Sequence, residues 1–194
     1  MEVKNINSDE YLLWEQLKKG NQEAFLNIYQ SNYQSLFAYG FKISKDKELT
    51  KDVIQDIFLD LWNKKSALPE VHKTKAYLLT YLRRALLKKI NIKEINADQF
   101  YDKHFELILS YENIIIEKER KKELYQKLSN ALNTLTPRQR EIIHLKFYEQ
   151  LSYEEISNVM EMKYQSVLNL THESIKILRE VLISIFCFIK IVFF

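Results

Sequence analysis

Across 194 residues the chain carries only two glycines and two prolines. The residues that most readily break helices are nearly missing, while Leu, Ile, Lys, Glu and Gln recur three and four positions apart, as helix faces require. An all-α protein is expected. The length suits one ordinary domain or two small ones with modest cores, and the order of segments favours two small helical domains.

Charge along the chain is uneven, although the formal net charge is only +3. Residues 1–63 hold seven lysines and no arginine against ten carboxylates, a net of −3. Residues 64–93 hold nine Lys and Arg against the one acid Glu70, a net of +8. An acidic surface is thus followed at once by a basic one.

The single cysteine, Cys187, has no partner for an internal disulfide. No charged stretch leading into an apolar one opens the chain, so a cytoplasmic location is the default expectation. His72, His104, His144 and His172 lack metal-ligand spacing, and no phosphate loop, nucleophile elbow or carboxylate pair is present. No cofactor, metal or small-molecule substrate is expected, and catalytic activity has no support.

Near the C-terminus, Thr136-Pro137-Arg138-Gln139 reads as a capping box with proline at the first helical position. A helix should start there and run to about Tyr148. Ser152-Tyr153-Glu154-Glu155 repeats the signal, with Leu151 and Ile156 placed as a hydrophobic staple. The second helix carries Ile156, Val159 and Met160 on one side. A third helix from about Tyr164 should turn Val167, Leu170, Ser174, Ile175 and Leu178 inward, and Lys163, Gln165, Ser166, Asn169, His172 and Lys176 outward. Two short helices with a tight turn, the second polar near its start, have the geometry of a helix-turn-helix in a major groove. A plain helical hairpin with a solvated face fits the periodicity equally well.

The order of residues adds to this. LTPRQREIIHLKFYEQLSYEEISNVMEMKYQSVLNLTHESIKILRE, residues 135–180, resembles region 4 of the sigma-70 family of bacterial transcription initiation factors. Its opening matches an LTPRQREV-like start, its middle an LSYEEIA-like scaffold helix, and its end a TVKN-like recognition helix closing on LRE. The resemblance implies that Arg138, Lys163, Tyr164, Gln165, Ser166, Asn169, His172 and Lys176 contact a minus-thirty-five element. Response-regulator helix-turn-helix domains open in a similar way, so the N-terminal half must decide.

There, QEAFLNIYQSNYQSLFAYGFKI over 22–43 sets Phe25, Ile28, Tyr29, Tyr33, Leu36, Phe37 and Phe41 at helical spacing and is expected to supply a core stripe. The next segment, KELTKDVIQDIFLDLWNKK, puts Ile54, Ile57, Phe58, Leu61 and Trp62 on one face. Asp52, Gln55, Asp56, Leu59 and Asp60 lie on another. Taken alone, that acidic face is merely solvated. The run DVIQDIFLDLW, however, resembles the DLVQEVFLKLW-like run of sigma region 2.2, which in that family docks on the clamp helices of the polymerase β′ subunit. Carboxylates flanking an amide suit basic clamp residues, and Leu59 adds an apolar centre.

A loop is expected over 64–74, around Pro69, then a helix over KAYLLTYLRRALLKKI. The resemblance makes these the promoter-melting regions 2.3 and 2.4. Basic side chains set affinity for phosphates and aromatic faces stack unpaired bases. His72, Lys73, Lys75, Tyr77, Tyr81, Arg83, Arg84 and Lys88 are therefore candidate DNA contacts, with Tyr77 and Tyr81 equally at home in the core. Departures from the family pattern are Arg84 where Asn is common, Lys88 where Asp is, Leu168 where Lys is, and Glu161 where the turn usually has Gly.

The resulting plan is region 2 over 1–93, a linker over 94–111, region 4 over 112–180 from a helix resuming near 112, and an apolar tail over 181–194. Two regions without an intervening third resemble the extracytoplasmic-function (ECF) group of sigma factors. The partners implied are RNA polymerase core, through the β′ clamp helices and β flap, promoter DNA and an anti-sigma factor. The tail VLISIFCFIKIVFF is too short to span a bilayer, which takes about 20 apolar residues. It needs a cover, either within this chain or on a partner. Two other readings of the chain are a helix-turn-helix regulator that never joins polymerase and a degenerate sigma homologue acting as an antagonist.

Overall fold

The computed structural model describes residues 6–93, 105 and 129–193, with side chains over 10–90, 105 and 129–180. Among them every regular element is a helix. The chain groups into two compact units, one built mainly from Met1–Ala97 and the other mainly from Asp98–Ser157 and Met162–Phe194.

The first unit is a bundle of α1 (Ile6–Lys18), α2 (Gln22–Ser44), α3 (Lys47–Asn63) and α4 (Thr74–Lys93), with a 3-10 turn at Lys65–Ala67. Helix starts are fixed by side chains that satisfy otherwise orphaned backbone N–H groups. Asn21 Oδ1 accepts from Ala24 N at 3.0 Å, and Asp46 Oδ1 accepts from Glu48 N and Leu49 N at 3.0 Å. Lys45, with φ 56°, closes α2 in a left-handed turn. The core comprises Trp14, Leu17, Ile28, Leu36, Tyr39, Ile54, Ile57, Leu61, Leu78, Leu79, Leu82 and Leu86, all below 2 % exposed. Gly40 permits the closest approach, since a Cβ there would lie 2.8 Å from Thr50 Cγ2 and 3.2 Å from Leu82 Cδ2.

Two expectations for this unit need correction. The core side of α2 is Ala24, Ile28, Asn32, Leu36, Tyr39, Gly40 and Ile43. The aromatics Phe25, Tyr29, Tyr33, Phe37 and Phe41 are only half-buried. They run at four-residue steps along the flank and touch one another, Tyr33 stacking on Phe37 at 6.2 Å and Phe37 on Phe41 at 6.4 Å. Trp62 is likewise half-buried, with Lys65 Nζ 4.6 Å above its ring. Both results reflect apolar bands wider than the arc of helix that three neighbours can cover.

The second unit contains α5 (Pro137–Ile143), a π-helical turn at His144–Tyr148, α6 (Tyr153–Met160) and α7 (Tyr164–Phe193). Both capping boxes form. Thr136 Oγ1 accepts from Gln139 N while Thr136 N donates to Gln139 Oε1 at 2.9 Å. Ser152 N donates to Glu155 Oε2 at 2.7 Å, and Glu155 N donates back to Ser152 Oγ at 3.2 Å. Leu151 and Ile156, the expected staple, are both buried. The first helix does reach Tyr148, but its last turn widens, with Glu149 N donating to His144 O at 3.1 Å.

Left-handed residues mark the two ends of α6, Gln150 with φ 59° before it and Glu161 with φ 54° after it. The second is the position where the family pattern favours glycine, for the reason that this backbone region is strained for other residues. Leu132, Leu135 and Ile143 form a core with Ile177 and Leu178 packed against it.

Helix α7 needs one correction. Ile175, expected inward, is 40 % exposed, and the buried positions are Val167, Thr171 and Ser174. The two hydroxyls bury without penalty because each donates to the carbonyl four residues back, Thr171 to Val167 O at 2.7 Å and Ser174 to Leu170 O at 2.6 Å. Helix α7 runs on through the apolar tail to Phe193. No helix among the described residues is long and apolar enough to cross a membrane. The side chains of the tail, the proposed linker and the helix expected from about 112 to 128 lie outside the described residues, Phe105 apart.

Candidate functional site

On α3 the helical phase that buries Val53, Ile54, Ile57, Phe58 and Leu61 leaves Asp52, Gln55, Asp56 and Leu59 facing solvent. Leu59 is 54 % exposed, and Leu26 on α2 is 52 % exposed, so the two add apolar surface to this face. Beside it, Phe25, Leu26, Tyr29, Tyr33, Lys51, Gln55, Phe58 and Leu59 line an apolar groove of about 440 Å³ between α2 and α3. The exposed face thus combines carboxylates, an amide and a hydrophobic seat.

The fifth residue of that expected set differs. Asp60 is half-buried and turned toward α4. Its Oδ2 accepts from the Tyr81 hydroxyl at 2.5 Å, and Lys64 Nζ lies 2.7 Å from Oδ1. These two donors hold its carboxyl below the usual carboxylate range. Partial burial and the Asp60 carboxylate in turn push the Tyr81 hydroxyl up to about 12. Asp56 also reaches α4, where Lys89 Nζ sits 2.7 Å from its Oδ2, with Asp56 largely in solvent and Lys89 half-buried.

Along α4 and the loop before it, His72, Lys73, Arg84 and Lys88 are exposed, while Lys75, Tyr77 and Tyr81 are half-buried. Tyr77 packs edge-on against Trp14 at 5.2 Å and against Tyr81 at 6.4 Å. The two tyrosines are therefore neither core nor free surface but a partly exposed aromatic row. Arg83 does not join the surface cations. It is 6 % exposed, because position 83 shares the inward phase of Leu79, Leu82 and Leu86.

The loop is held by residues that no sequence signal singled out. Trp14 Nε1 donates to Pro69 O at 2.9 Å, and the Tyr11 hydroxyl donates to Glu70 at 3.1 Å. The Tyr11 ring lies nearly parallel to His72 at 6.1 Å. Lys89 likewise carries no local signal, since it stands beside Lys88 in a Lys-Lys pair. In each case the partner lies more than thirty residues away in sequence, beyond any local pattern.

In the second unit, Lys163 just before α7 and Tyr164, Gln165, Asn169, His172 and Lys176 along its first four turns are exposed, Ser166 is half-buried, and Arg138 is exposed on α5. Gln165 Nε2 donates to Asn169 Oδ1 at 3.0 Å, which pre-orders two side chains of the outward face. Tyr164 packs edge-on against Tyr153 at 6.5 Å, with Lys146 Nζ 4.4 Å from the Tyr153 ring.

Comparison with known proteins agrees with this layout. Residues 28–91 match the family model for sigma-70 region 2, and residues 125–178 match that for sigma-70 region 4. The ECF RNA polymerase sigma factor SigX of Bacillus subtilis is 25 % identical over 167 residues, covering 82 % of this chain and 84 % of SigX. SigK of Mycolicibacterium vanbaalenii is 21 % identical over 182 residues, covering 88 % and 87 %. Among solved structures, the sigma factor RpoE of Bartonella quintana, in complex with the anti-sigma factor NepR, superposes with a TM-score of 0.57 at 21 % identity. It covers 81 % of this chain and 96 % of RpoE. CnrH in complex with the cytosolic domain of CnrY gives 0.57 at 16 % identity, covering 90 % and 97 %.

A helix-turn-helix regulator independent of polymerase leaves the region 2 match unexplained, and neither it nor the antagonist reading is favoured. Two sigma regions in the right order, with relatives matched over most of their length, make this chain a member of the sigma-70 family of transcription initiation factors, in its ECF group.

Proposed function

We propose that the chain docks on RNA polymerase core through Asp52, Gln55, Asp56 and Leu59 of α3, and that the adjoining α4 and its loop hold the opened minus-ten element. Helix α7 then lies in the major groove of the minus-thirty-five element. The observation that carries this reading is the face of α3, where one exposed leucine is ringed by an amide and two carboxylates. Such a face suits a partner helix rich in Lys and Arg, the leucine supplying a desolvated centre and the acids a charged rim.

His72, Lys73, Lys75, Arg84 and Lys88 supply phosphate contacts to the separated strands, and Tyr77 and Tyr81 offer ring faces to unpaired bases. Lys163, Gln165, Ser166, Asn169, His172 and Lys176 read or position the upstream duplex, with Tyr164 and Arg138 at its edge. The domains follow the plan of region 2 over 1–93 and region 4 over 112–180. By likeness to the Bartonella factor, an anti-sigma factor is proposed as the partner that withholds the chain from polymerase, which fits a cytoplasmic site of action.

The test is run-off transcription by bacterial core polymerase on a library of upstream regions. The wild-type chain should yield discrete promoter-dependent transcripts, and the Gln55→Ala/Asp56→Ala variant should lose at least about ten-fold in transcript and in core affinity, since two charge-assisted or polar contacts at a docking face disappear. Absence of any transcript with the folded wild-type chain would sink the assignment of these surfaces.

A further inference from the structure

Asp60 lies one helical turn beyond Asp56 and belongs, by sequence, to the same acidic face. Its surroundings differ. The Asp60 side chain is 31 % exposed against 63 % for Asp56, and both of its oxygens are engaged by Lys64 and Tyr81. The contact with Tyr81 joins residues 21 positions apart on two different helices, so it is tertiary and not a by-product of helix spacing.

Tyr81 ends a row of three rings. Trp14 is fully buried and fixed by its bond to Pro69 O, Tyr77 packs edge-on against it, and Tyr81 packs edge-on against Tyr77. One end of the row is therefore anchored in the core. The other end would be free to swing about its side-chain torsions if nothing held the hydroxyl at its tip.

We infer that Asp60 is a positioning residue for promoter DNA and not a polymerase contact: it ties down Tyr81 and so fixes the outer ring of the aromatic row against which an unpaired base stacks. The inference rests on the assignment of α4 to the opened minus-ten element. A ring held in place before the strand arrives spares the cost of ordering it on binding, which is how a contact one step removed from DNA raises affinity. The hydroxyl remains a donor throughout the neutral range, since its proton is held more tightly than usual. Lys64 balances the carboxylate, so the arrangement adds no unpaired charge beside the DNA.

The experiment uses polymerase core loaded with the full chain and a fork-junction template carrying 2-aminopurine in the unpaired minus-ten strand. Three single variants, Asp60→Ala, Asp60→Asn and Tyr81→Phe, are compared with Asp60→Ala/Tyr81→Phe. Tyr81→Phe keeps the ring and loses only the tether, so it probes the contact from the other side should Asp60→Ala fold poorly.

Asp60→Ala and Tyr81→Phe should each weaken fork binding by about 3- to 10-fold, the scale of one lost hydrogen bond to a charged group, and enhance 2-aminopurine emission as stacking loosens. The double variant should be no worse than either single one. Asp60→Asn, which keeps an acceptor but no charge, should recover most of the binding. Core affinity should stay as in the wild type for all four.

Three results would overturn the inference: core affinity falling in Asp60→Ala and Asp60→Asn alike, as a charged docking contact requires; single effects that multiply in the double variant; or fork binding unchanged in both Asp60→Ala and Tyr81→Phe. Run-off transcription by the wild-type chain separates this from the parent reading. If the wild type directs transcription and the variants behave like it, only the role of Asp60 fails; if the wild type directs none, the placement of the minus-ten strand on α4 fails with it.

Discussion

At the scale of single residues, the most informative atoms are two oxygens on neighbouring helices. The Tyr81 hydroxyl gives its proton up near 12 in the folded chain, because it is partly desolvated and bonded to Asp60, whereas an unfolded tyrosine does so near about 10. The folded state thus holds this proton more tightly. Its contribution to stability is complete below about pH 10 and is lost as pH rises toward 12. Urea unfolding of wild type and Tyr81→Phe across pH 8 to 12 should show the difference between their unfolding free energies shrinking over the upper half of that range; a constant difference would mean that the hydroxyl is not linked to folding. None of this was readable from the segment YLLTYLRR, in which Tyr77 and Tyr81 suit a core or a stacking face equally. The choice depended on how far α4 is covered by its neighbours.

At the scale of elements, helix ends were well encoded and helix faces less so. The capping boxes at Thr136 and Ser152 each need only four consecutive residues, so local sequence suffices to start α5 and α6 in register. Which side of a helix is buried depends on the number and placement of neighbouring elements. That is why the aromatic row of α2 ended on the flank, and why Thr171 joins Ser174 in the interior of the second unit while Ile175 does not. Gly40 shows the same dependence in reverse. Nothing local requires a glycine in the middle of α2, but α3 and α4 approach so closely that an added methyl would meet Thr50, Leu82 and Leu86 within 3.3 Å. Gly40→Ala should therefore cost about 1–3 kcal/mol through overpacking, offset by the roughly 1 kcal/mol by which alanine favours a helix, for a net destabilisation of the first unit of up to about 2 kcal/mol. Thermal unfolding followed by circular dichroism would register this as a lower midpoint; a higher one would show that the neighbours yield without cost.

At the scale of the whole molecule, charge is segregated along the chain. The acidic first 63 residues and the basic 30 that follow place opposite signs on adjacent helices of one unit, as the proposed docking of a basic protein partner and of nucleic acid on different faces requires. Because the DNA term is electrostatic, binding of the polymerase-bound chain to fork-junction DNA should weaken steeply with salt. Lys88→Ala should reduce the slope of log affinity against log salt by about 0.7, the counterion release expected for one single-strand phosphate contact. An unchanged slope, read from a titration between about 50 and 200 mM salt, would remove Lys88 from the DNA path.

The sequence by itself determined the helical class, the two family regions and their order, the helix starts, and the acidic and basic halves of the first unit. Each of these is written in composition or in short-range pattern, where a handful of neighbouring residues fixes the outcome. Tertiary structure decided which members of those patterns reach solvent. It drew Arg83 inside between leucines, turned Asp60 away from its acidic companions toward Tyr81, paired Asp56 with Lys89, and pinned the loop at Pro69 to Trp14. Those outcomes depend on helices separated by twenty to fifty residues meeting at a particular angle and depth, and no local periodicity carries that information.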